Sequence, residues 1–155
     1  MASFYRTRPA GEEDIFFIRA LELDPANQYV HAWDETTHRD KMAEPTYRYL
    51  IAENAEGKAI GFAILNYNSP NRLEWKRIVV ARRSDGIGTA FMRDVLSQFT
   101  ADPVLEVIWL DVYAQNDRAR HVYRSLGFQE VREDRETVPG ETLVIMEYTP
   151  SPKHQ

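Results

Sequence analysis

Arg83-Ser84-Asp85-Gly86-Ile87-Gly88-Thr89 joins two segments of different periodicity. Before it, Ile78, Val79, Val80 and Ala81 form an apolar run. After it, Ile87, Ala90, Phe91, Asp94, Val95, Gln98 and Phe99 recur at helical spacing, most of the apolar ones on one stripe. The glycines therefore fall where a strand turns into a helix. There the uncapped N–H groups of the first helical turn and the positive end of the helix dipole converge, which makes an anion site. Gly86 and Gly88 carry no Cβ, so a bulky phosphate can come close to the main chain. A pyrophosphate held at this turn is the expected ligand.

The identity of its carrier rests on the rest of the chain. A dinucleotide-binding fingerprint would place a third glycine where Phe91 stands. A P-loop would need Gly-Lys-Ser/Thr, whereas Thr89 follows Gly88 directly. A Gly-x-Gly turn by itself is as often a plain tight turn.

At 155 residues the chain has the natural length of one domain with a proper core. Hydrophobic residues make up 43% and charged residues 28%, a globular balance. No apolar run approaches the ~20 residues of a membrane span. Arg6 and Arg8 near the start are followed by no apolar signal-peptide core, so a cytoplasmic location is expected. The chain has no cysteine, which excludes disulfides, thiolate zinc sites and thiol nucleophiles. A net charge of −5 speaks against a nucleic-acid partner and for a cationic one.

Along the chain, Phe4 to Arg8 alternates as a first strand, and acid at Glu12, Glu13 and Asp14 opens a helix running to about Leu23. A short helix is expected from Glu35 to Met42, and a hairpin from Tyr47 to Glu53 and Ala59 to Tyr67. Arg72 to Ala81 is a fourth strand, the glycine-turn helix runs to about Thr100, and Val104 to Tyr113 reads as a buried central strand. Asn116 caps a helix, Asp117 to Leu126, that closes at Gly127. Phe128 to Arg135 and Thr142 to Tyr148 are two last strands. Residues 1–149 form one domain, and 150–155 read as a disordered tail.

The run Asn116-Asp117-Arg118-Ala119-Arg120-His121-Val122-Tyr123-Arg124-Ser125-Leu126-Gly127-Phe128 is the second signature. An Asn caps the helix, Ala119 and Tyr123 share one face, and Gly-Phe ends it. Together with Arg83-x-x-Gly86-x-Gly88 and the apolar strand between, it makes the chain resemble the GNAT N-acetyltransferase superfamily over nearly its whole length. Leu73 to Val80 and Trp109-Leu110-Asp111-Val112 look most like the small-substrate and protein-N-terminus branches.

The resemblance implies an α/β fold with a mixed, mostly antiparallel seven-stranded sheet flanked by about four helices. It also implies acetyl-CoA as co-substrate, with Val79, Val80, Arg83, Ser84, Asp85, Gly86, Ile87, Gly88 and Thr89 along it and Asn116 on the pantetheine arm. In this family the strand of Val79 and Val80 splays from its neighbour, and a backbone N–H there can polarise the thioester carbonyl. The family often has glycine at the position of Ser84 and a cation at that of Asp85. An acid beside a pyrophosphate costs roughly 1 kcal/mol or more unless it points away.

Tyr123 is the candidate general acid: a phenol near ~10 can protonate a departing thiolate near ~8.5. Its other reading is a core aromatic of an amphipathic helix. Glu74 is the candidate base, since an alkyl ammonium must lose a proton before it attacks. Strict alternation puts Glu74 and Val80 on one face; Glu74 can equally pair with Lys76 or a cross-strand cation. Trp33, Asp34 and Glu35 are candidates for the acceptor groove, where an aromatic among carboxylates suits a cationic amine. His31, His38 and His121 lack metal-ligand spacing, so no metal is expected. Arg118, Arg120 and Arg124 spread over more than one helix face and read as solvated.

The expected activity is transfer of acetyl from acetyl-CoA to a primary amine, a small molecule or a protein N-terminus, by a soluble protein that can form a homodimer through its sheet edges. The alternatives are a non-catalytic acyl-CoA-binding or sensory module on the same fold, and a nucleotide-binding regulatory domain.

Overall fold

In a computed structural model, residues 3–27, 32–81 and 86–150 are described. They build one seven-stranded sheet in the order β1-β2-β3-β4-β5-β7-β6. The strands are β1 (Arg6–Pro9), β2 (Tyr47–Glu53), β3 (Ala59–Ser69), β4 (Arg72–Val80), β5 (Val107–Tyr113), β6 (Gln129–Asp134) and β7 (Leu143–Tyr148). The helices are α1 (Ile15–Glu22), α2 (Glu35–Met42), α3 (Ile87–Thr100) and α4 (Asp117–Leu126), with a 3-10 turn at Glu12–Asp14 before α1. Every strand pair is antiparallel except β4 with β5. Among the described residues no helix is long and apolar enough to cross a membrane.

Each face of the sheet carries its own core. On one side Ile87, Phe91, Met92, Val95 and Leu96 of α3 pack against Leu65, Leu73, Trp75, Ile108 and Leu110, with Ala119, Tyr123 and Leu126 of α4 alongside. On the other side Ile18 and Leu21 of α1 meet Tyr49, Ile51, Phe62, Ile64 and Val79. The i, i+4 spacing of Ile87, Phe91 and Val95 makes α3 amphipathic, and burying each such side chain contributes about 1.5–3 kcal/mol.

Two departures from simple alternation shape the molecule. In β4, Trp75 pairs with Leu65 and Arg77 with Ile64, so Lys76 is an extra residue and the ladder bulges there. The bulge reverses the faces of everything before it. Glu74, opposite Asn66, shares its face with Arg77 and Val79 and lies on the side away from Val80, which corrects the alternation expected from spacing alone. Second, β5 is shorter than its apolar run. The Asp102 carboxylate accepts from Val104 N–H at 3.0 Å and its carbonyl from Leu105 N–H at 3.3 Å, so the chain turns there and Val104 is exposed. Within β5 only Ile108, Leu110 and Val112 are buried; Trp109, Asp111 and Tyr113 face outward.

α4 ends at Gly127, whose φ of +110° is left-handed. A Cβ on this residue would also sit 3.0 Å from a ring carbon of Tyr148. Gly127→Ala is therefore expected to destabilise the fold by about 1–3 kcal/mol, since it combines left-handed strain with a clash against a core ring. Urea denaturation measures it; a change below about 0.5 kcal/mol would show that α4 closes without needing glycine.

Candidate functional site

β4 and β5 pair over only three residues, Arg72–Glu74 against Val107–Trp109, and then separate. The gap opens into a cleft of about 410 Å³. Its floor is the β4 backbone from Lys76 to Val80; Gly86, Gly88 and Thr89 of the α3 start lie at one end, and Asn116, Ala119 and Tyr123 of α4 form a wall.

The glycine turn has the character of an anion site. Gly86 is the N-cap of α3 at φ +71°, a conformation that favours glycine, and it offers no side-chain oxygen to the first-turn amides. At Gly88 an added Cβ would meet only Val80 Cγ2, at 3.9 Å, so the fold itself tolerates a side chain there. The bareness of this position leaves room for a ligand, and residues 86–89 fit a pyrophosphate. Arg83, Ser84 and Asp85, named with them from the sequence, lie outside the described residues, as does His31.

Asn116 serves its helix as expected, accepting a hydrogen bond from Ala119 N–H at 3.3 Å, and it borders the cleft. Tyr123 packs against Phe128 with ring centroids 6.1 Å apart and the rings tilted by 57°, and it borders the cleft. Burial, with the Asp111 carboxylate nearby, pushes its phenol up to about 12. It therefore stays protonated at every physiological pH.

Glu74 does not border the cleft. Its carboxylate accepts from Asn68 Nδ2 at 3.2 Å and from Lys76 Nζ at 3.3 Å, which is the ion-pair reading of this residue. Trp33, Asp34 and Glu35 are likewise placed away from it. Arg77 lies 4.0 Å and Lys41 5.1 Å from the Trp33 ring centre, so the chain's own cations already use that ring. Asp34 caps α2, accepting from Thr37 N–H at 2.8 Å, and Glu35 pairs with Arg39.

Two features escaped the spacing argument. Asp111 borders the cleft from β5, and it was visible as the one acid inside the apolar run from Val107 to Tyr113. The other is a buried polar network. Glu22, at the end of α1, accepts from Arg77 Nε at 3.0 Å and lies 2.7 Å from His38 Nε2. His38 Nδ1 in turn lies 2.8 Å from the Tyr49 hydroxyl. His38 is thus a core residue joining α2 to α1 and β2. Arg120 and Arg124 are bound to Glu130 on β6, at 3.0 and 2.8 Å, which fits a structural, solvated face.

A protein-family description, the acetyltransferase (GNAT) family, matches residues 15–128. The streptothricin acetyltransferase of Streptomyces lavendulae is 33% identical over 121 residues, which cover 74% of this chain and 64% of that protein. The chain thus spans about two thirds of that relative's length. Two solved structures share the fold. Ribosomal-protein-S18-alanine N-acetyltransferase of Escherichia coli superposes with a TM-score of 0.80 at 23% identity, covering 97% of this chain and 96% of that one. Spermidine N-acetyltransferase of Vibrio cholerae in complex with CoA and spermine gives 0.78 at 19% identity, covering 94% and 95%.

Proposed function

This chain belongs to the acetyltransferase (GNAT) family, and from that premise we propose that it transfers acetyl from acetyl-CoA to a primary amine by direct attack. The observation that carries this reading is the meeting, in one cleft, of the bare amide turn at Gly86–Thr89 with the Tyr123 phenol. Acetyl-CoA, when bound, supplies the activated acetyl thioester. The amides of residues 86–89 hold the pyrophosphate, Asn116 meets the pantetheine arm, and the β4 backbone at Val79 and Val80 orients the carbonyl. Tyr123 donates its proton to the departing sulfur. Glu74, already engaged by Lys76 and Asn68, carries no proton in this reading.

The relatives named above are a streptothricin acetyltransferase, a ribosomal-protein-S18-alanine N-acetyltransferase and a spermidine N-acetyltransferase. A cationic amine acceptor also suits the acidic balance of this chain.

The test is incubation with acetyl-CoA and a panel of spermidine, streptothricin and a peptide beginning with alanine, followed by thiol release and mass spectrometry. Acetylated product from at least one amine is expected. CoA binding without any product would favour the non-catalytic acyl-CoA module. In the same assay Gly88→Val fills the space beside Val80 and is expected to weaken CoA binding tenfold or more, about 1.4 kcal/mol. Unchanged affinity would move the pyrophosphate off this turn.

A further inference from the structure

The two ends of the cleft differ in chemistry. Its floor follows β4 from Lys76 to Val80, and Val80 leads toward the amide turn that opens α3. Lys76 therefore stands at the opposite end, where β4 leaves β5 just past the pairing of Glu74 with Trp109. The charged residues bordering that end, among those described, are Lys76 and Arg77 on β4 and Asp111 on β5. Arg118 also borders the cleft, but from the first turn of α4 beside Asn116. The chain as a whole is acidic, whereas this end sets two cations against one carboxylate.

The bulge puts Lys76 there. Trp75 pairs with Leu65 and Arg77 with Ile64, so Lys76 has no partner on β3 and its direction comes from the bulge rather than from alternation. The carboxylates that accompany the two cations do not border the cleft: Glu74 lies 3.3 Å from Lys76 Nζ, and Glu22 lies 3.0 Å from Arg77 Nε. Each ion pair is thus a dipole whose positive partner is the one at the cleft. Both cations also act on the Asp111 carboxyl across the gap. Arg77 is held from behind, by Glu22 and by the Trp33 ring 4.0 Å away. Lys76 is the more exposed of the two, and its ammonium carries three N–H donors, of which Glu74 engages one.

We propose that this end of the cleft receives a carboxylate, so that the acceptor is an amine that also bears a carboxylate group, and that Lys76 selects it. This rests on the acetyltransfer reading above and narrows its acceptor. The amine lies toward the thioester at Val79 and Val80. The carboxylate accepts a charge-assisted hydrogen bond from Lys76 Nζ and gains from the charge of Arg77. A polyamine entering the same way sets its second ammonium against both cations, a like-charge contact that disfavours it. If Lys76 served only to hold Glu74, its loss would change every acceptor alike.

The experiment uses matched acceptors: alanine and 4-aminobutyrate, which differ in the distance from amine to carboxylate, each against its own carboxamide, with spermidine as an amine without a carboxylate. Wild type, Lys76→Met, Lys76→Arg and Glu74→Gln are compared by mass spectrometry of the products, with CoA binding as the check on folding. In the wild type at least one acid is expected to exceed its carboxamide tenfold or more in kcat/KM. That preference runs against intrinsic reactivity, since the carboxamide's amine is less basic and more of it is neutral at pH 7. Lys76→Met is expected to remove the preference, mainly through KM, while the carboxamides stay within threefold of wild type and spermidine turnover does not fall. Lys76→Arg and Glu74→Gln keep the preference, because each retains the cation. Wild-type turnover of carboxamides or spermidine equal to that of both acids, an equal loss for all acceptors in Lys76→Met, or a preference lost in Glu74→Gln would overturn this assignment and leave acetyltransfer standing. The wild-type ratio of acid to carboxamide decides the matter even if Lys76→Met does not fold. No product with any of these amines overturns the acetyltransfer reading and this inference with it.

Discussion

Tyr123→Phe is expected to lower kcat about 100-fold while CoA affinity changes less than twofold. The substitution deletes one hydroxyl and keeps the ring that packs on Phe128, so the fold has little to lose. The expelled thiolate, near ~8.5 when free, is a poor leaving group unless it is protonated or hydrogen-bonded as the C–S bond lengthens. The phenol borders the cleft from α4 and remains protonated because burial has pushed it up to about 12. Since the protonated form is the active one, ionisation of Tyr123 imposes no fall in the wild-type rate through the range near ~10 in which an ordinary phenol ionises. Stopped-flow thiol release across pH reads both quantities. A kcat within threefold of wild type would remove Tyr123 from the chemistry and return it to the core.

Glu22→Leu is expected to destabilise the protein by about 3–5 kcal/mol, seen as a fall of roughly 10 °C in Tm. The Glu22 side chain is fully buried and is the counter-ion of Arg77, itself only 13% exposed. Removing it takes away the buried carboxylate that faces that guanidinium and deprives His38 Nε2 of its partner at 2.7 Å. Replacing both ends, Glu22→Leu with Arg77→Leu, is expected to recover much of the loss, because a buried charge without its partner costs more than the pair contributes. Calorimetric scans of the single and double variants decide it. A single variant within 1 kcal/mol of wild type would mean that water or a neighbour compensates Arg77. The network also joins α1, α2, β2 and β4 beside the cleft, so the same variant is expected to raise KM for the amine more than it lowers kcat.

The helices were legible from local signals. α3 and α4 begin and end where periodicity and caps place them: Asn116 accepts a first-turn amide and Gly127 closes α4 in the left-handed region, whereas Asp34, read as an acceptor-groove candidate, caps α2. The strands follow their apolar alternation to within a few residues, and their order agrees with the family resemblance. Side-chain partners were less legible. Trp33 looked free to receive a cationic substrate, yet Arg77, 44 positions further along the chain, covers it. Glu74 looked able to reach the amine from the face of Val80, yet one bulged residue, Lys76, turns it to the other face and binds its carboxylate.

The amino-acid order alone determined the helix termini, the glycine turn that opens α3 and the position of Tyr123 on α4, because each depends on residues within a turn or two of one another. The tertiary structure decided which acid faces the cleft. Parting of β4 from β5 and the bulge at Lys76 are set by packing across the sheet, and a period-two pattern read along one strand carries no record of where its neighbour slips.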